Sequence, residues 1–362
     1  MKYIDEYRDP AICRGLISGI RERAKAIGRG INIMEVCGSH TTAIGRFGIR
    51  GVMPKNVSLI SGPGCPVCVT SIGDVDRALY LAGIEGVIFA TFGDMLRVPG
   101  TRGASLQGLR ANGSDIRTIT SPAQCVDLAR KNPDREVILM GIGFETTSPA
   151  IASFVKSLEK NNIRNACIFC VQKVIPPAIM ALINDPCLNI DGFLCPGHVS
   201  TIIGAEPYGI IPEKGSAAVI AGFEPIDILQ GVFMILGQIL SGYPRVEIQY
   251  IRGVRPEGNK RAVSILEEFF KVSDAPWRGL GIIPESGLVL RKEYAFFDAV
   301  KRYDIPQIPS CEIEGCRCGD ILRGLIAPTQ CPLFRKACTP ANPIGPCMVS
   351  SEGTCSAYYN YH

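Results

Sequence analysis

The sequence predicts an α/β protein with two similar parallel-sheet α/β domains and a C-terminal cysteine-rich iron–sulfur domain. Three observations predict it. From about residue 31, short apolar, β-rich runs alternate with amphipathic helical stretches, the order that builds parallel sheets covered by helices. The alternation comes in two successive series. Beyond about Gly242 it fades, and Ser310–Cys355 then carries 7 of the chain's 16 cysteines within 46 residues. The expected division is an N-terminal helical segment over 1–30, α/β domains over 31–120 and 121–241, and a cluster domain over 242–362.

In chain order, Ile31–Val36, Val57–Ile60 and Val87–Ala90 read as the first strands, each a short apolar run closely followed by turn residues or a cysteine. Val137–Met140, Ala166–Val171, Gly192–Cys195 and Ala217–Ala221 form the second series. Between them Val75–Leu81, Pro122–Lys131 and Ala150–Lys160 have the helical period, as does Lys260–Lys271 further on. Ile226–Leu240 is the most apolar stretch. It is only about 15 residues long, short of the ~20 a membrane span needs, and it contains Asp227, Gln230 and Gln238. It reads as an amphipathic core helix.

Composition sets the outer limits. The 362 residues are 46% hydrophobic and 20% charged, a globular balance that excludes a mainly disordered or coiled-coil chain. A net charge of +4 gives no argument for nucleic acid or an anionic membrane. Met1–Pro10 lacks the apolar core of a secretory signal. The expectation is a cytoplasmic chain, in which thiols serve as metal ligands, redox groups or buried apolar residues.

Several segments bear chemistry. In Met34-Glu35-Val36-Cys37-Gly38-Ser39-His40, a strand ends and Cys37 opens a helix, where backbone N–H groups and the dipole favour thiolate. His40 lies three residues on, placed to share a metal or a proton with Cys37. Gly62-Pro63-Gly64-Cys65-Pro66-Val67-Cys68 puts a C-x-x-C at a strand's C-terminal end, suited to a reversible disulfide or a metal. Gly141-Ile142-Gly143-Phe144-Glu145 lacks the third glycine of a dinucleotide fingerprint, and no phosphate-binding loop motif occurs. Glu145 is an acid–base group or a structural anion. Cys195-Pro196-Gly197-His198 places a second histidine at a strand end, and Asp94, after Val87–Ala90, is a weaker candidate. The tail holds Cys311, Cys316, Cys318, Cys331, Cys338, Cys347 and Cys355. Four such thiols bind zinc or an iron–sulfur cluster, and the long, uneven gaps favour a cluster without choosing its ligands.

Together, Glu35-Val36-Cys37-Gly38-Ser39-His40-Thr41, Gly62–Cys68, Gly143-Phe144-Glu145-Thr146-Thr147 and Cys347-Met348-Val349-Ser350-Ser351-Glu352-Gly353-Thr354-Cys355 closely resemble the HypD family of hydrogenase maturation factors. The resemblance implies two α/β domains and a cluster domain similar to ferredoxin–thioredoxin reductase. It implies a scaffold that, with the chaperone HypC and cyanide from HypE, assembles the Fe(CN)2CO unit of [NiFe]-hydrogenases. The family's cluster spacing, C-x12-C-x6-C-x16-C, falls on Cys318, Cys331, Cys338 and Cys355 as ligands of a [4Fe-4S] cluster. By the same resemblance Cys37 holds the iron, shared with a cysteine of HypC, with His40 beside it. Cys65 and Cys68 are the redox thiols. Thr41-Thr42 replace the second histidine of some members. A second disulfide is expected most simply as Cys316–Cys347. Glu352 is a proton relay or a structural hydrogen-bonding group, and the chain by itself is expected to be a monomer. Two other readings stand beside this one: a thiol–disulfide oxidoreductase acting through Cys65 and Cys68, and a static zinc site of Cys37, His40, Cys65 and Cys68.

Overall fold

The computed structural model describes residues 4–362, so the first three residues of the N-terminal segment lie outside the described residues. The strands are, in chain order, β1 (Ile31–Glu35), β2 (Val57–Ser61), β3 (Val87–Thr91), β4 (Asp115–Thr118), β5 (Glu136–Gly141), β6 (Ala166–Cys170), β7 (Gly192–Pro196), β8 (Ala217–Ala221), β9 (Val246–Ile248), β10 (Phe270–Trp277) and β11 (Gly281–Leu290). They form a five-stranded parallel sheet in the order β2-β1-β7-β8-β9, a four-stranded parallel sheet in the order β4-β3-β5-β6, and an antiparallel hairpin of β10 and β11.

Two parallel α/β sheets are as expected, but they are not sequential halves. β1 and β2 begin the first sheet, the chain then builds the whole second sheet from β3 to β6, and it returns with β7 beside β1. The expected boundary at 120/121 falls inside the four-stranded sheet, between β4 and β5. The boundary at 242 is also displaced, because β9 pairs with β8 and completes the first sheet. An apolar run shows that a strand is buried on both faces; it carries no mark of which neighbour it will pair with.

Local sequence explains the elements that carry the site. The helix Pro10–Ile27 starts at Asp9, whose side chain accepts from the Ala11 and Ile12 N–H groups, and stops at Gly28 in the left-handed region. Its buried residues, Ile20 and Ala24, face the helix Pro225–Ser241 across the same apolar layer as Val232, Ile235 and Leu236. That second helix is the expected amphipathic core helix, started by a capping box of Glu224 and Asp227. Among the described residues, no helix is long and apolar enough to cross a membrane.

The hairpin and the tail join the two sheets. Phe270, Leu288 and Leu290 pack with the four-stranded sheet's core, whereas Ala275, Trp277 and Ile283 share a core with Val36, Cys65, Cys68 and the tail cysteines. Trp277 is fully buried; its indole N–H donates to Ser286 Oγ at 2.8 Å, and its ring stacks on Phe144 with centroids 5.9 Å apart. From the second sheet's side, the Arg97 guanidinium donates to the Pro340 and Val349 carbonyls. The tail thus runs between the C-terminal ends of both sheets.

Candidate functional site

In the first sheet the chain leaves β1 for β2 on one side and β7 for β8 on the other. The crevice at the C-terminal ends of β1 and β7 is therefore a switch point, where open α/β sheets bind ligands. A pocket of about 300 Å³ opens there, with Cys37, Ser39, Phe144, His198 and Glu352 in its lining. A larger cavity of about 420 Å³ lies at the opposite ends of β7 and β8, lined by Arg29, Asp191, Lys214 and other residues, and holds none of the chemistry-bearing groups.

Cys37 sits at the N-terminus of the helix Gly38–Arg46, as the sequence predicted. The backbone N–H groups of Ser39 and His40 do favour its thiolate. Burial outweighs them and, with Glu352 adding to it, pushes the thiol up to about 12, so the expected free thiolate is a neutral thiol. The loop is held from below by Glu35. Its Oε2 accepts the Cys37 N–H at 3.2 Å, and its Oε1 accepts the Thr41 hydroxyl at 2.6 Å. Burial raises the Glu35 carboxyl to about 7 despite these bonds and one from Ser61. Sequence reading quoted Glu35 in a motif but gave it no task. An acid at the buried end of a parallel strand was the available signal, because such a group must be paired. From above, Gly64 lies so close that an added Cβ would stand 2.1 Å from the Cys37 nitrogen.

His40 does not face a metal. Its Nε2 bonds the carbonyls of Ala221 at 3.2 Å and Gly222 at 2.9 Å, its Nδ1 is buried without a partner, and burial pushes its basicity down to about 4. Among the described residues, no three His, Cys, Asp or Glu side chains are gathered as ligands of a single metal ion. The zinc set of Cys37, His40, Cys65 and Cys68 is therefore not assembled. His198 stacks on Phe223 with centroids 3.9 Å apart, and its Nδ1 lies 3.5 Å from Ser39 Oγ. Ser39 in turn donates to Glu352 at 2.7 Å. Gly38 permits this approach, since a Cβ there would meet the Glu352 Cβ at 2.5 Å. Glu145 is buried behind Phe144: Oε1 accepts the Ile175 N–H at 2.9 Å, Oε2 has no partner, and burial raises the carboxyl to about 7. Asp94 stands after β3, apart from the pocket lining.

The C-x-x-C opens the short helix Pro66–Val69. The Cys65 and Cys68 sulfurs are 2.7 Å apart, and Cys65 also accepts the Cys68 N–H. Cys68 is in side-chain contact with Cys347, and the Cys347 sulfur lies 2.9 Å from that of Cys318. This corrects the expected pairing: Cys347 stands against Cys318, not Cys316. Four sulfurs thus form a row from beside the Cys37 loop into the tail. Arg278, which no motif announced, buttresses it. Its Nε donates to the Thr70 carbonyl, its backbone N–H to Val69, and one terminal nitrogen to Glu312.

The row ends at a small apolar pocket lined by Cys316, Cys318, Cys331, Cys338, Cys347 and Cys355, with Ile321, Leu333, Phe334 and Met348 around them. Cys318 is engaged with Cys347, which leaves Cys316, Cys331, Cys338 and Cys355 as the free donors. Their chemistry fits a thiolate-ligated cluster. Cys338 accepts the Ile344 N–H at 3.4 Å and Cys316 that of Cys318, bonds of the kind that tune cluster thiolates. Four thiols on four iron atoms stand farther apart than ligands of one ion, so a site of this kind is compatible with the absence of a single-ion set.

Comparison with known proteins gives one consistent result. The family model "HypD: Hydrogenase formation hypA family" matches residues 11–362. The hydrogenase maturation factor HypD of Cupriavidus necator is 42% identical, over 100% of this chain and 97% of the relative. HypD of Escherichia coli (strain K12) is 42% identical, over 100% and 98%. A putative hydrogenase expression/formation protein of Methanocaldococcus jannaschii is 44% identical, over 98% of each chain.

Proposed function

The chain belongs to the HypD family, and from that premise we propose that it is a hydrogenase maturation factor acting as a redox-active scaffold for the Fe(CN)2CO unit. HypC is its partner on the scaffold and HypE its cyanide donor. Cys37 holds the iron: cyanide and carbon monoxide suit low-spin iron, and soft thiolates complete such a coordination sphere. Cys65 and Cys68 exchange electrons by closing and opening a disulfide beside it. The observation that carries this reading is the row of sulfurs Cys65, Cys68, Cys347 and Cys318, which leads from the Cys37 loop to the tail cavity.

A [4Fe-4S] cluster, when bound, supplies single electrons, and its ligands in this reading are Cys316, Cys331, Cys338 and Cys355. Cys318 becomes a redox thiol instead of a ligand. The residues around the row exclude water, and burial pushes the Cys68 thiol well above its ordinary value. A disulfide that opens there takes up two electrons, and the buried Cys68 sulfur takes up a proton with them. Glu35 and Gly64 keep the Cys37 backbone fixed while this happens.

The test is anaerobic production with HypC and HypE, followed by infrared spectroscopy. Nitrile and carbonyl stretching bands are expected on the wild-type complex. Cys37→Ser should lose them while keeping the broad brown absorption of a cluster. A wild-type complex without such bands would sink the scaffold reading. The C-x-x-C pair supports the second reading, a thiol–disulfide oxidoreductase. Catalytic reduction of a generic protein disulfide by the isolated chain, without HypC, would favour that one.

A further inference from the structure

The C-terminal helix Thr354–Tyr361 stands between the tail cysteines and the Cys37 loop. Cys355, in its first turn, lines the cysteine pocket of the tail. The loop that carries Cys331 and Cys338 also grips this helix. Phe334 meets the Tyr359 ring edge-on with centroids 6.3 Å apart, and the Arg335 guanidinium donates to the Tyr359 carbonyl at 3.1 Å. The helix packs in turn against Gly38–Arg46, the helix that Cys37 opens. Gly45 admits the Tyr361 ring, since an added Cβ would stand 3.1 Å from its Cδ2. The Thr42 hydroxyl donates to the Ser351 carbonyl at 3.0 Å, and Ser39 donates to Glu352 at 2.7 Å. Ser39, Thr42 and Gly45 are three residues apart in turn and make one stripe of their helix. The tail covers that stripe, and through Glu352 it also supplies part of the Cys37 pocket's wall.

Eight residues are too few for a helix to stand by itself in water, where isolated helices shorter than about 12 residues are marginal. No side chain caps its N-terminus either. Thr354–Tyr361 is helical because its neighbours hold it, so it has a docked and a frayed state that each neighbour biases. The neighbour on the tail side is weakly built. From Cys331 to Ile344 it has turns and a single bridge, Phe334 to Cys338, with no helix or strand among the described residues. Ligation of its cysteines is what would fix its shape. We infer that loading the tail cysteines, Cys355 among them, docks the helix Thr354–Tyr361, and that the docked helix holds the Cys37 helix and completes its pocket. Thr42 and Tyr361 are positioning residues that carry this coupling. No bond to Cys37 changes and no electron moves in the step. The tail is thus loaded before the Cys37 pocket is finished, and iron meets a complete site only on a chain that can also deliver electrons. That consequence rests on the scaffold reading, whereas the coupling is measurable on the chain alone.

The experiment is anaerobic amide hydrogen exchange on the full-length chain, read by mass spectrometry in the cluster-loaded form and after stripping with a reductant and an iron chelator. Stripping should speed exchange over Thr354–Tyr361 and over Gly38–Arg46 by about tenfold each, and leave β3 and β5 of the four-stranded sheet unchanged. In the loaded chain, the double variant Thr42→Val/Tyr361→Ala should show the faster exchange over Gly38–Arg46 while keeping the brown absorption. Tyr361→Phe, which keeps the ring against Gly45, should exchange as the wild type does. A stripped chain whose Gly38–Arg46 exchange stays at the loaded rate overturns the inference, whatever happens over Thr354–Tyr361. Wild-type exchange in the brown double variant overturns it equally. That variant decides the matter if stripping unfolds the whole chain, so that β3 and β5 exchange as well. Either negative result leaves the cluster reading standing, whereas a chain that takes up no iron and sulfide removes both. Missing infrared bands on the wild-type complex would remove the scaffold reading and leave these exchange rates untouched.

Discussion

Glu145 Oε1 holds the first N–H of the helix Ile175–Ile183, while Oε2 is buried with no partner. Burial raises the carboxyl from 4.5 to about 7. A group whose folded pKa exceeds its unfolded value keeps a proton that the unfolded chain releases. Its stabilising contribution is full below about pH 4.5 and is lost as pH rises through about 7. Ionising it in place costs up to about 3 kcal/mol. Glu145→Gln removes this titration while keeping an acceptor for the Ile175 N–H. Its denaturation midpoint should match that of the wild type near pH 5 and exceed it near pH 8. Equal pH slopes in the two proteins would show that Glu145 does not titrate in this range. Glu35 carries a similar burden at about 7 but is bonded on both oxygens and tied to the Cys37 loop. The same balance explains the Cys37 correction: helix N–H groups were legible from the strand–helix turn, but the degree of burial that outweighs them was not.

The loops after β1 and β2 meet at one contact. The Gly38 N–H donates to the Gly64 carbonyl at 2.9 Å, and the space for a Gly64 side chain is filled by Cys37 backbone. Backbone cannot rotate away as a flexible side chain can. Gly64→Ala should therefore force the two loops apart at a cost of about 1–3 kcal/mol. It should abolish the infrared bands of the loaded complex while leaving the cluster's absorption intact, and a fully loaded Gly64→Ala complex would show that the contact is dispensable. The glycine was visible in the G-P-G-C-P motif; its partner was not. Elements divide in the same way. β1, β3 and β5–β8 were readable because strands buried on both faces are nearly continuous apolar runs, and β2, an edge strand with Ser58 exposed, was readable from Val57, Leu59 and Ile60. β4, with Asp115, Arg117 and Thr118, is a polar edge strand, β9 is a three-residue edge, and β10 carries Ser273, Asp274 and Pro276. None of these has the apolar signature. Sheet membership was beyond reach for another reason: β1 and β7 pair across more than 150 residues of intervening sequence.

Across the whole molecule, the tail threads between the two sheets so that a cysteine-lined cavity, two thiol pairs and the Cys37 pocket follow one another. The resemblance to the HypD family made Cys318 a ligand and left Cys316 for the disulfide; in the fold it is Cys318 whose sulfur stands beside that of Cys347. The two residues are separated by Arg317 only, and at that separation a count of intervening residues cannot say which side chain meets Cys347. Both line the cavity, and the packing separates them by their partners. Gly345 lies against Cys316, with space for a Cβ only 2.7 Å from its sulfur, while Cys318 turns to Cys347. The exchange makes opposite predictions for neighbouring thiols. Cys316→Ser should lose most of the roughly four irons and four sulfides of a bound cluster, together with its brown absorption. Cys318→Ser should keep iron, sulfide and colour. With the row interrupted, though, the Cys65–Cys68 disulfide should remain closed when electrons are supplied through the cluster, as read by thiol trapping and mass spectrometry. The reverse pattern, a colourless Cys318→Ser beside a brown Cys316→Ser, would return Cys318 to the cluster and break the row of sulfurs. A brown Cys318→Ser whose Cys65–Cys68 pair still opens at the wild-type rate would show that electrons reach the C-x-x-C by a path that bypasses the tail pair.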